Sequence, residues 1–258
     1  MNILIAGAGH MGKWLIEELK SDHNITVFDP LQPKIAPHKN VTILSSIEEA
    51  AKINTELFIN AVSLNHTIAA FEKIIPQLNT DCLIADLASV KTGLKDFYRK
   101  SGKRFVSVHP MFGPTFGNLE DLSAENAIII SKSDEEGKAF FRKLFSRLKI
   151  NIFEYSFEEH DKTTAYSLST PFISTLVFAA CMKKQEAPGT TFKKHLKIAD
   201  GLLAEDDALL SEILFNPFSL EQIEKINSRL SYLTHIIKGR DEEEMVKFLN
   251  GLRENLGK

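Results

Sequence analysis

The 258-residue sequence predicts an α/β chain, in which a mainly parallel sheet domain is followed by an all-helical one. Two observations predict this. Short Val- and Ile-rich runs alternate with polar segments of helical period as far as residue 155, and after that point the strand-like runs stop. A third observation, a glycine-rich turn directly after the first run, bears on what the sheet carries.

The strand-like runs cover 2–6, 25–28, 41–44, 57–61, 82–86, 105–108, 127–130 and 151–155. Most are mainly apolar rather than strictly alternating, as expected of strands covered on both faces. Segments of helical period lie between most of them, at 11–20, 47–52, 66–75 and 135–148. Ser156-Phe157-Glu158-Glu159 has the form of a capping box and opens an apolar helix running to about residue 184. Pro171 inside it predicts a kink or a break, because proline lacks the N–H that the helix needs. Pro188-Gly189 punctuates, and helical patterns then cover 191–215, 219–238 and 241–255, with Asn216-Pro217 ending the first. The boundaries so read are 1–155 for the sheet domain and 156–258 for the helical one.

Leu176-Val177-Phe178-Ala179-Ala180 and Ile213-Leu214-Phe215 leave few polar faces for a lone helical appendage. The helices either pack as one bundle within the monomer or are completed by a second copy. The excess of apolar surface favours the second, a homodimer through the helical domain.

A net charge of −3 gives no general attraction to nucleic acid or to an anionic membrane surface, so an anionic small substrate must be held by local cations. Cys82 and Cys181 are far apart, with no CxxC or Cys/His cluster, so buried thiols in a reducing cytoplasm are expected and no metal site. The chain opens directly into a strand pattern with no signal peptide. Its longest apolar stretch, about 174–182, reads as too short and too hydroxylated to span a bilayer.

Gly7-Ala8-Gly9-His10-Met11-Gly12 follows the first strand and opens the first helix. In that context Gly7 permits a tight turn, Gly9 lets the backbone approach a pyrophosphate, and Gly12 lets helix pack on strand. His10 and Met11 complete the loop, and the phosphates would sit on the N–H groups at the helix start. Asp29 ends the next strand and can accept hydrogen bonds from the ribose hydroxyls while repelling a 2′-phosphate, so NAD is expected over NADP. The alternative for Asp29 is a turn residue before Pro30. The sheet domain therefore reads as Rossmann-like.

Two segments at the carboxyl ends of later strands carry chemical groups: Asp86-Leu87-Ala88-Ser89-Val90-Lys91 and Ser107-Val108-His109-Pro110-Met111-Phe112-Gly113-Pro114. His109, held in a Pro-rich loop, can act as a base near neutral pH, with Ser89 bonded to it or to a substrate hydroxyl. Taken alone, a histidine before proline is as readily a turn residue, a serine before a helix an N-cap, and Lys91 a charge on a helix surface.

Asp-x-x-Ser-Val-Lys at 86–91 followed by His-Pro-Met-Phe-Gly-Pro at 109–114 resembles the prephenate and arogenate dehydrogenase family. Glu159-His160-Asp161, and Pro188-Gly189-Thr190-Thr191-Phe192-Lys193 leading to Ile198-Ala199, extend the resemblance over nearly the whole chain. The resemblance implies that His109 is the catalytic base, that Ser89 orients it or the substrate hydroxyl, and that Gly7, Gly9, Gly12 and Asp29 hold NAD. It implies a dianionic substrate, prephenate, decarboxylated to 4-hydroxyphenylpyruvate, with arogenate as the nearest alternative. Lys197 stands where many relatives have an arginine on the ring carboxylate, so Lys197 joins Ser89 and His109 as a substrate-binding candidate, with Lys193 on the same helix face. Phe172 stands where many have a helix histidine, and His160 and His195 are expected to be structural or peripheral.

Glu205-Asp206-Asp207 can in principle meet an ammonium, but reads as a solvated helix face or turn. A β-hydroxyacid dehydrogenase would need a lysine in a glycine-rich helix motif, which is not found, and retention of Ser89 and His109 argues against a non-catalytic NAD sensor. No helical module precedes the first strand and little chain follows the last helix, so neither a fused chorismate mutase nor a ligand-sensing regulatory domain is expected.

Overall fold

The computed structural model describes residues 1–32, 34–113 and 121–257. All eight apolar runs are strands: β1 (Asn2–Ala6), β2 (Asn24–Phe28), β3 (Val41–Ile43), β4 (Leu57–Asn60), β5 (Leu83–Asp86), β6 (Phe105–Pro110), β7 (Asn126–Ile130) and β8 (Asn151–Tyr155). They form one sheet in the order β3-β2-β1-β4-β5-β6-β7-β8. The strands from β3 across to β6 pair in parallel, β7 runs antiparallel to β6, and β8 is parallel to β7.

The strand alternation divides the core. Ile3 and Ile5 pack on one side with Trp14, Leu15, Ile16 and Leu19 of α1 (His10–Leu19) and with Phe141, Leu144 and Phe145 of α4 (Glu135–Arg147). Leu4 and Ala6 pack on the other with Phe71 and Ile74 of α2 (Thr67–Ile74) and with Leu94 and Tyr98 of α3 (Leu94–Ser101). Helices on both faces of a mainly parallel sheet is the Rossmann-like arrangement. The chain reverses its strand order between β1 and β4, the crevice where such sheets bind ligands.

Within the sheet part, two elements depart from the sequence reading. The segment at 47–52 is a 3₁₀ helix, Ile47–Lys52, and the helix read after Ser89 without bounds is α3, which starts only at Leu94. Its eight residues bury only Leu94 and Tyr98, and it is bracketed by Gly93 and Gly102, both at positive φ.

The helical part is α5 (Phe157–Thr164), α6 (Thr170–Cys181), α7 (Thr190–Leu202), α8 (Asp207–Leu214), α9 (Ser219–Gly239) and α10 (Glu242–Asn255). The capping box forms as read: Ser156 N–H donates to Glu159 Oε2 (2.8 Å) and Glu159 N–H to Ser156 Oγ (3.2 Å). Between α5 and α6, Ala165–Ser169 is a π-helical turn. It lies just before Pro171, where an α-helix would lose a hydrogen bond and meet the pyrrolidine ring. The turn aims Ser169 at α8 and α9, where its hydroxyl lies 3.2 Å from the Ile213 carbonyl and 2.7 Å from Ser219 Oγ.

The helix foreseen over 191–215 is two helices. Asp206 accepts from the N–H groups of Ala208 and Leu209 and starts α8 afresh. The continuous helical run Phe157–Cys181 has 25 residues and meets the length and composition needed to cross a membrane, contrary to the expectation drawn from 174–182. That shorter window missed the α5 portion. The α5 portion carries the buried polar residues His160, Asp161 and Thr164 and packs Phe157 into the sheet core.

Candidate active site

The strand register brings four chain segments to one edge. Ala6 pairs with Asn60, Asn60 with Asp86 and Asp86 with Ser107, so the residues after each emerge side by side. They open onto a cavity of about 540 Å3 walled by Gly9, His10 and Met11, by Ala61–Leu64, by Leu87–Ser89 and by His109–Gly113. The helical part closes it with Leu168, Phe172, Leu209, Leu210 and Ile213.

The glycine loop fits a nucleotide phosphate. Gly7 has φ +90°, and a Cβ there would lie 2.7 Å from the Ala61 carbonyl oxygen. A Cβ on Gly12 would lie 2.0 Å from the Gly7 carbonyl oxygen, so helix and strand close up only with glycine. Among the described residues, a Cβ on Gly9 would meet open space and no side chain caps the start of α1. The first N–H groups of that helix are thus available to an anion. Asp29 is half-buried at the end of β2 and accepts from Ala8 N–H (2.7 Å) and Leu31 N–H (2.8 Å). One bond to each oxygen leaves lone pairs for ribose hydroxyls, while the Ala8 bond ties the acidic residue to the glycine loop.

His109 sits on β6, not in a loop. It pairs with Ile128 of β7 and is buried. The strand runs on through Pro110, so the backbone of His109 is fixed by the sheet. Its Nδ1 lies 2.9 Å from Nε2 of His160, and His160 Nδ1 lies 2.8 Å from Asp161 Oδ1. The sequence reading has Ser89 bonded either to His109 or to a substrate hydroxyl. Ser89 does line the same cavity, half-buried, but the ring hydrogen bond goes to His160, on α5.

Behind this pair lies a fully buried ion pair, Lys91 Nζ to Asp86 Oδ1 at 2.6 Å. The ammonium also donates to the Val108 carbonyl (2.8 Å), and Tyr98 O–H donates to Asp86 Oδ2 (2.6 Å). Lys91 is therefore an internal strut, not the surface charge that its position before a helix allows. Its backbone N–H donates to Asp161 Oδ1 (2.7 Å), and Thr92 O–H donates to Asp161 Oδ2 (3.2 Å). Burial lowers the pKa of both histidines, of His109 well below the ordinary 6.5, and the Lys91 charge adds in the same direction. Both imidazoles are neutral at physiological pH.

Phe172 faces the cavity as an apolar wall. His195 is exposed on α7, near Thr191 O and the Phe178 ring. Lys197 lies outside the cavity wall: α7 turns Ala199 and Leu202 inward, and two residues before Ala199 is nearly the opposite side of the helix. Lys193 is exposed as well. Glu205 and Asp206, read as solvated, line the cavity with Glu125. Pro114, the last residue of the second motif, lies outside the described residues.

The family model "Prephenate dehydrogenase, nucleotide-binding domain" matches residues 20–149, just over half of the sequence. The chain belongs to the prephenate dehydrogenase family. Among curated relatives of this family member, a probable arogenate/prephenate dehydrogenase of Methanocaldococcus jannaschii is 23% identical over 277 residues, covering 98% of this chain and 60% of that protein. The T-protein of Haemophilus influenzae is 20% identical, covering 99% of this chain and 67% of the relative. The chain thus spans about 60–67% of these relatives' length. Among solved structures, prephenate dehydrogenase from A. aeolicus, in complex with hydroxyphenyl propionate and NAD+, superposes with TM-score 0.81 at 20% identity, covering 99% of this chain and 96% of the other. Arogenate dehydrogenase of Synechocystis gives 0.75 at 17% identity, covering 99% and 100%. These likenesses show that the whole fold, sheet and helices together, is shared.

Proposed function

We propose that this chain catalyses the NAD-dependent oxidative decarboxylation of prephenate to 4-hydroxyphenylpyruvate, with His109 as the general base. The observation that carries the reading is a neutral, buried imidazole in the wall of a cavity that also includes the glycine loop. NAD, when bound, supplies the hydride acceptor. Gly7, Gly9 and Gly12 with His10 and Met11 would hold its pyrophosphate, and Asp29 its ribose. The A. aeolicus structure binds NAD+ in the same fold, which supports the choice of cofactor.

His109 takes the proton of the ring hydroxyl as that carbon gives up its hydride. Loss of the ring carboxylate as carbon dioxide makes the ring aromatic and leaves a phenolate oxygen, which takes the proton back. Ser89, in the same wall, would hold the hydroxyl. General-base assistance of this kind contributes ~10²–10⁴-fold.

Arogenate is the second reading, favoured by one observation. Glu205 and Asp206 line the cavity, and Glu205 lies against Gly113. A carboxylate wall suits the ammonium of arogenate better than the keto group of prephenate. Measuring NADH formation with each substrate decides between them. Turnover of neither would remove both readings.

The chain divides at 155/156 into nucleotide-binding and helical parts. The helical part leaves Val177, Ile198, Leu203, Phe215, Leu230 and Ile237 more than half exposed, and this apolar surface supports a homodimer. Lys197 is tied to that dimer: exposed in the single chain, it meets a substrate carboxylate only if a second copy closes the helical face over the cavity. The reading places the enzyme in the cytoplasm, acting on a small molecule, with neither nucleic acid nor membrane as partner.

A further inference from the structure

We infer that His160 and Asp161 are positioning residues that hold His109 in the single tautomer able to accept a proton from the substrate. The inference rests on the reading of His109 as the base and adds to it the groups that set its protonation.

The argument starts from the one member of the chain that can only accept. Asp161 receives Lys91 N–H and His160 Nδ1 on the same oxygen, at 2.7 and 2.8 Å, and Thr92 O–H on the other at 3.2 Å. With donors on both oxygens it acts as a carboxylate. His160 Nδ1 must therefore carry a hydrogen. His160 is wholly buried, and Lys91 lies nearby as an ammonium, so a second proton on its ring is disfavoured. Its Nε2 is then a bare acceptor. His109 Nδ1 lies 2.9 Å from that acceptor and must supply the hydrogen of the bond. One N–H is all that a neutral imidazole has, so Nε2 of His109 keeps its lone pair. Each assignment forces the next, from the carboxylate outward to the cavity.

The same bonds place the device at the junction of the two parts. His160 and Asp161 lie on α5, whereas His109, Lys91 and Thr92 belong to the sheet part. Asn216, beyond α8, donates to the Asp161 carbonyl at 2.9 Å and holds α5 in place. The helical part thus completes the base as well as roofing the cavity.

Nitrogen-15 NMR of the full chain labelled in histidine reads the tautomer without any substrate. We expect His109 protonated at Nδ1 and bare at Nε2, with the His109→Asn and His160→Phe variants assigning the signals. In His160→Phe, which removes the acceptor at similar volume, the two tautomers should mix. In that variant kcat should fall by ~10²-fold or more, with the Kd for NAD unchanged. His160→Gln places an amide oxygen near the lost Nε2 and should regain at least tenfold of that loss. A purely structural role would leave the tautomer untouched and would give the glutamine no such advantage. A wild-type His109 protonated at Nε2 overturns the proposal, even if His160→Phe does not fold. A folded His160→Phe with unchanged tautomer and kcat also overturns it. The expected tautomer in a protein that turns over neither prephenate nor arogenate would sink the functional reading alone.

Discussion

Replacing Lys91 by Met removes the ammonium from a site where its side chain and that of Asp86 are both inaccessible to solvent. Asp86 keeps the Tyr98 hydroxyl at 2.6 Å and the Ala88 N–H at 3.0 Å, but loses the only opposite charge bonded to it among the described residues. The Val108 carbonyl loses the donor that stood 2.8 Å away. Breaking a buried pair by deleting one partner costs about 3–5 kcal/mol, because the remaining charge stays in a low-dielectric interior. Urea denaturation followed by circular dichroism at pH 7 should show that loss. Removing the whole polar set, in Lys91→Met with Asp86→Leu and Tyr98→Phe, leaves no orphaned side-chain charge or hydroxyl and should recover most of it, since apolar replacement of a complete buried pair is often neutral or stabilising. A loss below about 1 kcal/mol in the single variant, or a triple variant less stable than the single, would refute the strut.

Asp29→Ser should narrow the preference for NAD over NADP by relieving repulsion of a 2′-phosphate, and should also weaken NAD binding, because the bond to Ala8 goes with the carboxylate; fluorescence titration with both cofactors measures the two effects. The base works as neutral imidazole and burial lowers its pKa, so kcat/KM should hold constant through pH 6.5 and fall only well beneath it; a midpoint at 6.5 or higher would contradict this. The same shifts act on stability. Below pH 6.5 the unfolded histidines bind protons that folded His109 and His160 do not, so stability present above 6.5 is lost as the pH falls toward their depressed values. Each contributes at most about 1.4 kcal/mol per pH unit, and Asp161, whose pKa burial raises, works in the opposite sense at lower pH. Lys197→Ala should raise KM for the substrate roughly ten- to a hundredfold only under conditions where the chain is a dimer, with Kd for NAD unchanged; an unchanged KM in the dimer would move the anion site elsewhere.

The central strands were legible because strands buried on both faces carry apolar runs, the outer β3 and β8 because each keeps a short β-branched or aromatic core between polar segments, and the nucleotide loop because its glycines have fixed offsets. What escaped notice had weaker or non-local signals. The bounds of helix α3 could not be read, because it buries two side chains in eight residues, too few to show a period. The break at Asp206 lies in the acidic run Glu205-Asp206-Asp207, which reads equally as a helix face or a turn, and one capping side chain decided the matter. Lys91 reads as a surface charge in any local window, since its partner's burial is a tertiary fact. His160 lies 51 residues from His109, and only the docking of α5 on the sheet edge joins them. The Glu-His-Asp run was the one available signal for His160, and nothing local distinguished it from an ordinary polar helix turn.

The central claim, that His109 is the base of an oxidative decarboxylation, is tested most directly by single-turnover NADH formation from prephenate and from arogenate, with the wild-type chain beside His109→Asn. The account predicts NADH from at least one substrate in the wild type, and a rate lower by ~10²–10⁴-fold in a folded variant that still binds NAD. A near-normal rate in His109→Asn, or no NADH from either substrate with the wild type, would contradict it.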